Sequence, residues 1–302
     1  KSQLQSIYFG LAVIMDKSLI ENKIDISSLD KYAAIIGANP SNGARSPKLW
    51  NAMFKHSSLN YSMIPLDVTK DKIVELLDSL NQDRKFIGGA IAVPYKETVA
   101  QWLGKNITLE AKKIGAVNCL YRGASGDLYG TNTDGEASLI AFENKFGLID
   151  SKKILIFGLG GAGKAVAAYF SSKSEKVIIA TRSEMMYYAK KIGANWVNWS
   201  QIDTLVTKQD VIINCTSIGF GSQESLSPLS KEQVEKLTKS TIIYDIIYQP
   251  LETNFLSMSK YQGLCTLNGL SMNLEQAVLA YQYAVDTKSS TEQIRSTMSS
   301  IN

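Results

Sequence analysis

The sequence predicts an α/β fold in two domains. Short apolar runs rich in Val and Ile alternate with stretches of helical periodicity. The rhythm begins at Lys31, passes through a helical segment between Asp134 and Gly147, and begins again at Lys152. A glycine-rich turn joins strand to helix soon after that restart. At 302 residues the chain has room for a large core and two domains.

The elements follow in order. "KYAAIIGA" reads as a strand, and "SPKLWNAMFKH" as a helix with Ser46 as its cap and Pro47 at the first helical position. "NYSMIPLDV" is a strand, and "TKDKIVELLDSLNQ" a helix capped by Thr69. "FIGGAIAV" is a strand and "KETVAQWLG" a helix. "GAVNCLYR" and "GDLYGTNT" are two strands joined by the polar turn "GASG", and "GEASLIAFENKFG" is a helix linking the halves. The second half continues with "KKILIFGLG", "AGKAVAAYFSSK", "EKVIIATR", "EMMYYAKKIG", "NWVNW", "DVIINCTSIG", "KEQVEKLTK" and "STIIYDIIY". Near-continuous Val and Ile strands between amphipathic helices imply a parallel sheet covered on both faces. "SMNLEQAVLAYQYAV" and "STEQIRSTMSSI" are closing helices. The early "SIYFGLAVIM" lacks a basic lead and is followed by "DKSLIENK", not by a small-residue cleavage site. It reads as a short buried element and not as a signal peptide.

Composition removes several function classes. Net charge is only +4, and no basic stripe is interleaved with aromatics, so nucleic acid is not favoured as a partner. No run approaches the roughly 20 apolar residues of a membrane span. Three dispersed cysteines, Cys119, Cys215 and Cys265, fit a reducing compartment and argue against a disulfide framework or a zinc site. With one histidine, His56, at an expected helix end, a Ser-His-Asp triad or a histidine metal site has no material.

"ILIFGLGGAGKAVAAYF" puts Gly158, Gly160 and Gly163 in GxGxxG spacing, after an apolar strand and at the start of an apolar-periodic helix. That context is the one a dinucleotide needs: a tight turn, close backbone approach to a pyrophosphate, and close helix–strand packing. The next strand ends in Thr181, Arg182 and Ser183 where an NAD site wants an acid. Arginine with hydroxyl neighbours suits a 2′-phosphate, so NADP is the expected cofactor. Tyr187 and Lys191 have Tyr-x-x-x-Lys spacing, but they lie on the helix after the ribose-binding strand, far from a hydride path. "GGAIAVPYKETV" poses a sharper question, because it sets Lys96 where a core strand meets its loop.

Several blocks together resemble the shikimate dehydrogenase family, from about Lys31 to the end. "GGAIAVPYKE" resembles G-x-N-V-T-x-P-x-K, "GAVNCLYR" resembles GAVNT, and "YGTNTDGEA" resembles GxNTDxxG. "FGLGGAGKA" resembles GxGGAxxA, "DVIINCTSIGF" resembles D-x-x-I-N-x-T-x-x-G-M, and "YDIIYQPLET" resembles D-x-x-Y-x-P-x-x-T. "NGLSMNLEQA" resembles G-x-x-M-L-x-x-Q-A. The resemblance implies that Lys96 is the proton-transferring lysine and Asp134 its partner, with Ser46, Asn118, Tyr248 and Gln276 at the substrate. Asp134 is also implied to contact a substrate hydroxyl. It implies that Gly161, Ala162, Thr216 and Gly269 join Gly158, Gly160, Gly163, Thr181, Arg182 and Ser183 around NADP. It further implies a substrate-binding domain over residues 1–136, completed by 268–302 packing back on it, and a Rossmann NADP-binding domain over 137–267. The implied reaction is reversible hydride transfer between NADPH and a cyclic keto or hydroxy acid such as 3-dehydroshikimate or shikimate. It belongs to aromatic amino acid biosynthesis, in a cytoplasmic monomer or homodimer with a small-molecule substrate and no nucleic-acid or membrane partner.

The chain also departs from the family pattern. In "NPSNGARSPKLWN" the first serine of the family's Ser-x-Ser-Pro is Ala44, and the usual Asn and Thr before the proline–lysine turn are Ala90 and Ala92. Two of three carboxylate-binding hydroxyls are therefore missing. Arg45 either replaces them or points away, as the x of Ser-x-Ser does. The nucleotide clamp has Met186 where the family often has a second arginine. Two alternatives stay open: a paralogue acting on quinate, an aminoshikimate-type or a non-carboxylate substrate, and a ligand-sensing module without turnover. About 30 N-terminal residues precede the first matching strand and have no assigned role.

Overall fold

A computed structural model describes residues 15–301. The expected element in "SIYFGLAVIM" lies, save for Met15, outside the described residues; Met15 itself is buried.

The first sheet has five strands: β1 (Lys31–Gly37), β2 (Tyr61–Asp67), β3 (Phe86–Ile91), β4 (Cys119–Arg122) and β5 (Leu128–Thr131), in the order β2-β1-β3-β4-β5. β1 runs parallel to both β2 and β3, whereas β4 and β5 form an antiparallel hairpin beside β3. The hairpin follows from its connection, because Gly123–Asp127 is too short for a parallel crossover. Helices α1 (Ser46–His56), α2 (Ile73–Gln82), α3 (Lys96–Leu103) and α4 (Leu109–Ile114) connect the strands. All six residues of β3 are buried, so both faces of the sheet are covered.

Two helix starts differ from expectation. Ser46 is the first residue inside α1, and Arg45 holds the cap position with helical backbone and no side-chain cap bond. A preceding turn, with Ala44 N donating to Pro40 O, leads the chain in already wound, so no extended residue is left to cap. Thr69 likewise opens a separate turn closed by Lys72 N, and α2 begins after it.

Helix α5 (Asp134–Phe146) leads into the second sheet: β6 (Ile154–Phe157), β7 (Val177–Thr181), β8 (Asn195–Asn198), β9 (Val211–Asn214), β10 (Ile242–Asp245) and β11 (Cys265–Leu267). Its order is β11-β10-β9-β6-β7-β8, parallel throughout. Helices α6 (Gly161–Lys173), α7 (Met186–Lys191), α8 (Lys231–Glu235) and α9 (Asn254–Tyr261) serve as crossovers, with 3-10 turns between β8 and β9. Helices α10 (Leu270–Ala284) and α11 (Thr291–Ser299) return to the first sheet. Ala277, Val278 and Tyr281 of α10 and Ile294 of α11 pack there with Trp50 and Phe54 of α1. Met272 at the other end of α10 joins the core of the second sheet, so this helix belongs to both lobes.

Candidate active site

Open α/β sheets bind ligands at the carboxyl ends of adjacent strands whose crossovers run in opposite directions. Each sheet here has such a point. In the second it falls between β6 and β9, which puts the Gly158–Gly163 turn beside Thr216. In the first it falls between β1 and β3, which puts the loop ending at Arg45 beside the loop ending at Lys96. These two loops are tied together, since Ala38 N donates to Val93 O and Ala92 N to Ile36 O.

Lys96 opens α3 and Asp134 opens α5. Their side chains form an ion pair, Nζ to Oδ2, at 2.5 Å. Their side chains are only 15% and 6% exposed. Desolvation cancels much of the stability of so enclosed a pair, so its place in the crevice points to function. Asn118 fixes the carboxylate: its Nδ2 donates to Asp134 Oδ1 at 2.8 Å and to Thr133 Oγ1 at 3.0 Å, and its Oδ1 accepts from Thr133 N at 2.8 Å. Thr133 Oγ1 donates in turn to the backbone of Gln276, and Asn132 Oδ1 accepts from Asp134 N. Lys96 O accepts from Val117 N, which ties the lysine's helix start to the chain carrying Asn118.

The glycine turn lies directly against the lysine. A Cβ on Gly161 would stand 3.2 Å from Lys96 Cδ. Gly158 has φ +87° with Thr216 Cγ2 close by, and a Cβ on Gly163 would sit 2.6 Å from Gly158 O. A Cβ on Gly160 would meet nothing within 4 Å, so that face of the turn is open. Ala162 lies in the first turn of α6. At the end of β7, Arg182 and Ser183 are exposed, whereas Thr181 is buried with its hydroxyl donating to Ser183 O and accepting from Trp196 Nε1 at 2.7 Å. Thr181 therefore shapes the turn that displays Arg182 and has no free hydroxyl of its own. These features fit a dinucleotide with an added phosphate. An ion pair at 2.7 Å between Lys164 of α6 and Glu97 of α3 spans the two lobes beside the turn.

The remaining expected residues gather on the Arg45 side of the crevice. Gly269 N donates to Ile247 O, which docks the start of α10 on the loop carrying half-buried Tyr248. Gln276 Nε2 is held by Asn273 O at 3.0 Å. Ser46 is buried at the head of α1. Asn118 has both donors engaged by Thr133 and Asp134, so it positions Asp134 here and offers no open donor to a substrate hydroxyl. Sequence alone does not single out Thr133, Asn132 or Asn273: Thr133 pairs with Asn118 and the Asn273 side chain with Arg45, both distant along the chain, and Asn132 reads as an ordinary turn residue beside Asp134. Tyr187 is 84% exposed on α7, away from this cluster.

Other chemistry is absent from the cluster. Burial pushes the thiols of Cys119 and Cys215 well above their usual range, so neither is a nucleophile. Among the described residues no group of three or more His, Cys, Asp or Glu side chains is placed to hold a metal, and no helix is long and apolar enough to cross a membrane. A cavity of about 470 Å³ lies at the opposite end of the first sheet, by Lys31 and Arg122. Arg122 there is committed to backbone carbonyls of Leu80, Asn81, Asp83, Phe86 and Gly126.

A parallel nucleotide-type sheet facing a second α/β lobe, with a lysine–carboxylate pair against its glycine turn, defines a two-lobed dinucleotide-dependent enzyme. The comparisons with known proteins narrow the class. The family described as "Shikimate dehydrogenase substrate binding domain" matches residues 35–120, and "Shikimate / quinate 5-dehydrogenase" matches residues 141–250. The shikimate dehydrogenase (NADP(+)) of Methanocaldococcus jannaschii is 33% identical, over 85% of this chain and 92% of the relative. That of Carboxydothermus hydrogenoformans is 32% identical over the same shares. A crystal structure of a shikimate dehydrogenase in complex with NADP+ superposes with TM-score 0.78 at 28% identity, covering 90% of this chain and 96% of that one. The Thermus thermophilus enzyme in complex with NADP(H) and shikimate gives 0.75 at 26% identity, covering 90% and 100%. The chain belongs to the shikimate dehydrogenase family.

Proposed function

We propose that the protein is an NADP-dependent dehydrogenase that interconverts shikimate and 3-dehydroshikimate. The observation that carries this reading is the enclosed Lys96–Asp134 pair lying against Gly161. In this reading the described residues of 1–136 and 268–302 would make the substrate side, and residues 137–267 the cofactor side. Gly158, Gly160, Gly161, Ala162 and Gly163 would hold the pyrophosphate, with Thr216 beside them. Arg182 and Ser183 would take the 2′-phosphate. Bound there, the nicotinamide supplies or accepts a hydride. In the reducing direction the Lys96 ammonium donates a proton to the oxygen on which alkoxide charge develops, and the reverse step returns it. Asp134 holds Nζ in place and Asn118 holds Asp134. Tyr248 and Gln276 line the substrate side. A cytoplasmic monomer or homodimer belongs to the same reading.

Ala44, Ala90 and Ala92 favour a second reading, a paralogue of altered substrate. All three pack in or against the apolar core between the first sheet and helices α1 and α10. An absorbance assay of nicotinamide reduction separates the two. Shikimate oxidised with NADP+ supports the first reading. Oxidation of quinate or another cyclic polyol alone supports the second.

A further inference from the structure

Arg45 is a cation without an acid. Among the described residues no carboxylate lies within 4.0 Å of it, and its one side-chain hydrogen bond runs from Nη1 to Asn273 Oδ1 at 3.1 Å. A guanidinium carries five N–H donors, so four remain open. The side chain is half-buried, and Tyr248 is the ionisable group that faces it. A partly desolvated arginine with open donors is an anion site in waiting.

Its position ties it to the reacting centre. Hydrogen bonds link Arg45 residue by residue to Asn273, Gln276, Thr133, Asn118, Asp134 and Lys96, with the backbone carbonyls of Asn273 and Gln276 serving as two of the joints. Arg45 and Lys96 thus stand at opposite ends of the same network, on the two loops that flank the β1–β3 crevice. The sequence shows a matched replacement. The family pattern over "NGLSMNLEQA" has leucine where this chain has Asn273, the residue that holds Arg45. The same chain has lost hydroxyls to Ala44 and Ala92, and both alanines pack against apolar core.

We propose that Arg45, oriented by Asn273, anchors the carboxylate of the cyclic acid substrate and replaces the missing hydroxyls. This rests on the reading of the crevice as the site of a hydroxy-acid dehydrogenase. Arg45 determines which substrate binds and takes no part in the proton transfer. Its open fork accepts a carboxylate in two-pronged fashion, whereas the Ser-x-Ser arrangement uses separate hydroxyls.

The test is calorimetric titration of the NADP+-saturated enzyme with shikimate and with its uncharged methyl ester. Arg45→Met is expected to weaken shikimate binding about 10- to 100-fold and to leave the ester unchanged. Asn273→Leu, which keeps the guanidinium and removes its guide, is expected to weaken shikimate by a smaller factor and again to spare the ester. NADP+ affinity stays at the wild-type value in both, which reports an intact fold. Unchanged shikimate binding in Arg45→Met, or equal weakening of acid and ester, overturns the role of Arg45 alone. A wild-type enzyme that binds neither compound overturns the substrate reading, and the role of Arg45 with it.

Discussion

Lys96 Nζ and Asp134 Oδ2 meet at 2.5 Å across 38 residues of sequence, each at the first residue of its helix. The two helices follow different strands of one sheet, so the pair is a product of topology. Its carboxylate is held from behind by a buried amide, and its lysine lies along the glycine turn of the other lobe.

Asn118 is the residue that holds the carboxylate. Asn118→Ala should lower kcat about 10-fold by letting Asp134 drift, with KM for NADP+ unchanged. Steady-state kinetics check this. Asn118→Asp should do no better, because it sets a like charge against Asp134.

Arg182 is displayed at the end of β7 on a turn that Thr181 and Trp196 brace. If it pairs with a 2′-phosphate, Arg182→Ala should raise KM for NADP+ about 10-fold or more and leave KM for NAD+ unaltered. An equal change for both cofactors would show that the arginine only supports the loop.

Asp245 is fully buried at the end of β10. It accepts from Asn214 Nδ2, Ile247 N and Thr253 Oγ1, and burial pushes its carboxyl from 3.8 up to about 6. The folded state therefore binds this proton more tightly than the unfolded chain does. Its stabilisation is complete below about pH 4 and is lost as pH rises through about 6. A shift of this size amounts to about 3 kcal/mol. Asp245→Asn keeps the bonds from Asn214 Nδ2 and Ile247 N on its amide oxygen, reverses the third so that its Nδ2 donates to Thr253 Oγ1, and removes the titration. Denaturant unfolding between pH 4 and pH 7 should show the variant flatter than wild type, by roughly that amount.

Much of the fold was legible because its strands are buried on both faces, and β6, β7 and β9 read as short apolar runs led by Ile and Val. The glycine turn was legible because Gly158, at φ +87°, and Gly163, whose Cβ would stand 2.6 Å from Gly158 O, leave room for no side chain. β11 leaves little signal in the sequence, since Cys265–Leu267 is three residues long and begins at an exposed cysteine. Helix α9 is faint too, though Thr253 caps it, because its start follows directly on the turn after Pro250. The cap positions of α1 and α2 shifted because tight turns precede both helices, and turns of that kind leave no trace in hydrophobic periodicity. Lys96 and Asp134 stood out through ordered blocks of resemblance. Thr133 and Asn273 did not, because the side-chain contacts that matter, to Asn118 and to Arg45, lie more than a dozen residues away.

Proton transfer by Lys96 is the step on which the proposed reaction depends, and Lys96→Ala measures it most directly. Turnover of shikimate should fall by about 10²- to 10⁴-fold while the Kd for NADP+ stays within about twofold of wild type. Turnover that survives the substitution, or a loss explained entirely by weaker cofactor binding, would contradict it.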